Sequence, residues 1–119
     1  LWLPVHLALR MAAALGAVPP SLATHALTVG LIGALTLGMI TRTALGHTGR
    51  PLRAHRLDTA AYAAVLLAAV VRVAVPLVAP AWLMPAVQVS AGLWTLAFVL
   101  YLWRYVPFLL FSRADGQPG

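Results

Sequence analysis

Four histidines and eight arginines hold most of the chemistry open to this chain, which has no lysine and no cysteine. Neutral imidazole is the usual protein ligand for haem iron and copper, and without thiolates it is the leading candidate here. Spacing limits which imidazoles cooperate. His25 and His47 stand 22 positions apart, roughly 33 Å along one helix, so they are candidate ligands at opposite ends and cannot share one metal. His6 is a third candidate. It shares a helix face with Arg10, four positions on, and lies roughly 18 Å below the end of its segment. A deep histidine with an arginine one turn nearer the surface suits a haem iron and its propionate. His55, in a basic turn, reads as a polar residue at a helix end.

Arg72 falls eight positions before Pro80, roughly 12 Å below the end of an apolar segment. A charge near mid-membrane costs about 2.5–3.5 kcal/mol, so such a residue usually faces an interior partner or water. The two carboxylates, Asp58 and Asp115, belong to the opposite end. The counter-charge for Arg72 or Arg10 is therefore expected from other parts of the protein or from a bound anion: a haem propionate, an anionic substrate or a lipid headgroup. The turn GHTGRP, with Arg42 before it and Gly49 and Arg50 within it, is glycine-rich and basic, a weak signal for phosphate. Glycine-rich phosphate loops, nucleophile elbows, paired carboxylates and HExxH are absent, and no catalytic residue is assigned.

Positioning these groups falls to apolar helices. Of 119 residues, 62% are hydrophobic and 8% charged, with mean hydropathy +0.93, against roughly 25% charged residues in soluble domains. The composition predicts an all-α polytopic transmembrane bundle of about four spanning helices, near 1–18, 22–45, 58–79 and 82–111. The bundle fills 1–112, and a flexible tail follows over 113–119. Pro19-Pro20, Gly46 to Pro51 and Pro80 punctuate the segments. A net charge of +6 on such a chain reads as membrane topology rather than nucleic-acid binding. The basic 47–56 turn and the C-terminus are expected in the cytoplasm, the opposite loops outside. Tyr101, Trp103 and Tyr105 resemble an interfacial aromatic belt. Ala26, Gly30, Ala34 and Gly38 form a small-residue stripe that admits a neighbouring helix. The chain opens in an apolar run with no basic n-region, which reads as a fragment with more sequence upstream.

The run from His25 to Leu52, HALTVGLIGALTLGMITRTALGHTGRPL, resembles a signature segment of the NnrS family of bacterial integral membrane proteins. The ending RYVPFLLFSRADGQPG resembles that family's C-terminal tail. The resemblance implies a haem- and copper-containing protein of the bacterial inner membrane, associated with nitric oxide metabolism or the nitrosative-stress response. Its members have about a dozen spanning helices, so this chain corresponds to roughly their final third. The lipid bilayer and the remaining helices of the parent chain are then its partners. His25, Arg42, His47, Gly49 and Arg50 occupy the motif positions. Two alternatives stay open from the residues alone: a carrier or channel for a small anion or metal complex, and a scaffold supporting a site elsewhere.

Overall fold

The computed structural model describes residues 1–116; the last three positions of the expected tail lie outside the described residues. Helix α1 spans Trp2–Ala14, ending four residues before the expected boundary. Gly16 adopts φ +72°, and the Gly16 and Ala17 amides donate to the Ala13 and Ala12 carbonyls at 3.0 and 2.9 Å. That left-handed glycine closes the helix. Thirteen residues make roughly 20 Å of helix, short of about 30 Å of hydrocarbon.

Helix α2 runs without a break over Pro20–His47, with Pro20 at its first position, where the missing amide costs nothing. From Ala26 to Ile32 it widens into a π-helical stretch. Helix α3, Arg56–Val78, begins with a capping box: the Leu57 amide donates to the His55 ring, and the His55 amide donates to Asp58. After a 3₁₀ turn at Pro80–Trp82, helix α4 covers Leu83–Leu110. Pro76 and Pro107 sit inside α3 and α4 close to their ends; each helix runs at most three residues beyond its proline. The all-α bundle class holds, with four helices of which three are long and apolar enough to cross a membrane.

Helices α3 and α4 form the most extensive pairing, and α2 lies against both. At the His25 end, Leu9, Leu22, Ala23, Ala26 and Val73 pack together. Mid-bundle, Leu37, Ala61, Val65 and Ala97 form the centre, and Ala44, Leu45 and Tyr105 close the basic end. The outer faces are also apolar: Val78, Leu110 and Met39 are 80%, 77% and 68% exposed. Such surface is untenable in water and ordinary against lipid tails.

The small-residue stripe follows the helical repeat rather than a strict spacing of four. Ala26 and Gly30 are buried, and the buried face then passes to Gly33, Leu37 and Thr41. Four residues turn an α-helix about 400°, so a four-residue stripe drifts roughly 40° per step and leaves Ala34 and Gly38 at the margin. At Gly30 the close approach is real. A Cβ there would stand 2.5 Å from the Trp2 ring.

Candidate functional site

The first turn of α2 gathers two of the three candidate histidines. His25 reaches back one turn, donating from Nδ1 to the Ser21 carbonyl at 2.6 Å. That bond fixes the Nδ1–H tautomer and leaves Nε2 with its lone pair. Arg72, on α3, donates to this nitrogen through Nη2 at 3.0 Å. The interior partner expected for Arg72 is thus a neutral imidazole, which accepts a hydrogen bond without cancelling the charge. His6, on α1, donates from Nδ1 to the Ala23 carbonyl at 2.7 Å. Among the described residues its Nε2 makes no hydrogen bond, so its lone pair is available. A ring held through Nδ1–H on a carbonyl, with Nε2 presented forward, is how metal-binding histidines are usually oriented.

Local sequence explains the widened turn beside these rings. Thr28 returns its hydroxyl to the Thr24 carbonyl at 3.0 Å, and Thr24 reaches the Pro20 carbonyl at 3.4 Å. With His25 on Ser21, three backbone acceptors ahead of the π stretch, those of Pro20, Ser21 and Thr24, are shared with side chains, which loosens the regular ladder. Isolated π turns of this kind are frequent at functional sites.

The other site residues are dispersed. Arg10, one turn from His6, is exposed. His47 is exposed at the far end of α2 and lines a cavity of about 380 Å³ with Arg42 and Arg113. Arg42 also borders a second cavity, of about 290 Å³, with Arg53, Asp58 and Tyr62. Arg50 lies over the Phe108 ring at 4.0 Å. Gly49, at φ +67°, admits the Asp115 carboxylate so closely that a Cβ would meet it at 2.5 Å. The Ala114 amide donates to the Thr48 carbonyl at 3.0 Å, so the segment after α4 lies along this turn. His55 is a capping residue, as its place in the basic turn suggests.

One cluster was not apparent as a unit. Asp58 is buried beneath the basic end. It accepts the Tyr105 hydroxyl at 3.0 Å and the His55 amide at 2.8 Å, and Arg104 Nε stands 3.1 Å from its Oδ1. Among the described residues Arg104 Nε has no aligned hydrogen-bond acceptor, so that contact is Coulombic. Tyr105, expected in an interfacial belt, is fully buried, stacked on Tyr101 at 4.7 Å and edge-on to Phe108 at 5.7 Å. The signal was available: residues 101, 105 and 108 repeat on one helix face, opposite a lone acid in a basic turn.

Among the described residues, no group of three or more His, Asp or Glu side chains could close around a metal. The donors fit a single imidazole ligand at His6, completed by other groups, and they do not fit a self-contained metal cage. Beside Arg72, a groove of about 280 Å³ opens between α2, α3 and α4, lined by Val29, Arg72, Ser90, Trp94 and Thr95. Among known proteins, a family model described as NnrS protein matches residues 1–113. No curated protein and no solved structure matches the chain.

Proposed function

The chain belongs to the NnrS family, and on that premise we propose that it contributes an imidazole ligand to a haem- and copper-binding membrane protein of the nitric oxide response. The observation supporting this reading is the presentation of His6: Nδ1–H tied to the Ala23 carbonyl, Nε2 unengaged, inside an apolar bundle. The Ala23 carbonyl holds that ring's orientation, which favours a metal–nitrogen bond. Bound haem would supply an iron centre able to take a diatomic ligand.

In this reading the chain's own groups divide the work. His6 would hold iron, and Arg10, one turn away on the same face, would meet a propionate. His25 becomes a ligand only when Arg72 leaves its Nε2. At the basic end, His47 is the second candidate, for copper or for a separate haem, with Arg42 and Arg113 lining the same cavity. Arg42, Arg50, Arg53 and Arg56 face the cytoplasm by the positive-inside rule, in a bacterial inner membrane. The exposed apolar faces of α2 and α4 meet lipid and the remaining helices of the parent protein.

The test is an absorption spectrum and metal analysis of the purified full-length protein. A Soret band that shifts or is lost in His6→Ala, with the His25→Ala and His47→Ala spectra separating the other two positions, is the expected result. Spectra unchanged in all three variants would remove this chain's imidazoles from the site.

A further inference from the structure

We propose that the groove beside Arg72 binds a compact monovalent anion. The inference requires these helices to sit in lipid, but it does not require haem or copper.

Arg72 lies six residues inside the end of α3, roughly 9 Å by helical rise. Of its five N–H donors, one goes to His25. The imidazole takes a hydrogen bond and leaves the positive charge whole. Among the described residues no carboxylate approaches: Asp58 pairs with Arg104 near the far end of the bundle, and Arg113 holds Asp115 there too. A guanidinium placed this way in an apolar medium is costly without a counter-ion.

The groove wall supplies a further hydrogen-bond donor. The Thr95 hydroxyl makes no hydrogen bond to protein among the described residues and lines the groove with Arg72, and the Trp94 ring walls it while its Nε1 lies against Gly33 on α2. Ser90 is turned away, its hydroxyl donating to the Ala68 carbonyl at 2.8 Å. One uncancelled positive charge and a hydroxyl, walled by Trp94, Val29 and Val87, make a lining for a singly charged acceptor such as nitrate, nitrite or a halide. A dianion would keep one charge unmatched in an apolar wall. The carboxylate arm of a cofactor shares this chemistry, and the experiment separates the two sources.

Iodide serves as both ligand and reporter, because it quenches indole fluorescence on contact. In the full-length protein in detergent, titration with sodium iodide at constant ionic strength should show a saturable quenching component, displaced by nitrate and not by sulfate. Trp94→Phe should remove that component, and Trp82→Phe and Trp103→Phe should leave it. Arg72→Gln should abolish saturation while His6→Ala leaves it intact. Thr95→Val should weaken it about fivefold, and it decides the matter if Arg72→Gln does not fold. Saturation in both haem-free and haem-loaded protein identifies a free anion. Saturation confined to haem-free protein identifies a cofactor carboxylate in the same cradle. Quenching linear in iodide throughout, or saturation that survives Arg72→Gln, overturns the proposal. Saturable quenching in a protein with no Soret band would count against the haem reading alone.

Discussion

Replacing Asp58 by alanine should destabilise the bundle more than removing the Tyr105 hydroxyl that this carboxylate accepts. The Asp58 side chain is 3% exposed and the Arg104 side chain 14%. Stripping the acid from such a pair leaves a nearly buried guanidinium uncompensated, which costs about 3–5 kcal/mol. Loss of the capping box at the start of α3 adds about 1 kcal/mol. The orphaned Tyr105 hydroxyl adds about 1–3 kcal/mol. These terms overlap, because Arg104 relaxes toward the basic rim once released, and a net loss of about 4 kcal/mol is expected. Tyr105→Phe takes away one donor and leaves the amide and the guanidinium in place, for about 1–2 kcal/mol. Asp58→Asn keeps the shape and one acceptor but loses the charge, and should fall between them. Unfolding the full-length protein in mixed micelles, with the mole fraction of sodium dodecyl sulfate as denaturant, ranks the three variants. The double variant should lose less than the sum of the single losses, since both remove the same hydrogen bond. An Asp58→Ala protein within about 0.5 kcal/mol of wild type, the range of inert surface changes, would refute the argument. So would a larger loss in Tyr105→Phe than in Asp58→Ala.

Gly30→Leu should force α1 away from α2, because the Trp2 ring already occupies the space of a Cβ; a loss of about 1–3 kcal/mol is expected. The melting temperature in detergent should fall and partly recover when Trp2→Ala is added, and an unchanged melting temperature in the single variant would count against this close approach. Gly49→Ala meets both a left-handed backbone, worth about 1–2 kcal/mol, and the Asp115 carboxylate. The segment after α4 should then detach from the Thr48 carbonyl, and trypsin should cleave after Arg113 faster than in wild type. An unaltered cleavage rate would show that the contact does not hold that segment.

The helices were legible because their signals are local. Apolar runs and the punctuation at Pro19-Pro20, Gly46 to Pro51 and Pro80 place α2, α3 and α4 within about two residues of their observed ends. The boundary of α1 was missed because Val18 and Pro19 look like its stop, whereas Gly16 turns left-handed first. Pairings between helices were harder to read. That Arg72 needed a partner followed from its depth. That the partner is His25 depended on how α2 and α3 rotate against each other, which no single segment encodes. Asp58 and Tyr105 each had a sufficient local explanation, one as a cap and the other as an interfacial aromatic, and those explanations hid their bond. The π stretch was invisible for a similar reason: a threonine hydroxyl returned to a carbonyl one turn back is ordinary in a helix, and only the succession at Thr24, His25 and Thr28 loosens the turn.

The widened turn in α2 has a mechanical consequence. A helix interrupted this way is two stiff rods joined by a softer splice. The upper rod is clamped to α1 through His6 and Leu9, and to α3 through Arg72. The lower rod is clamped to α3 and α4 through Leu37, Leu45 and Tyr105. Trp2 packs on the splice itself at Gly30, so a displacement of the first helix bears directly on the joint between the imidazole rim and the arginine rim.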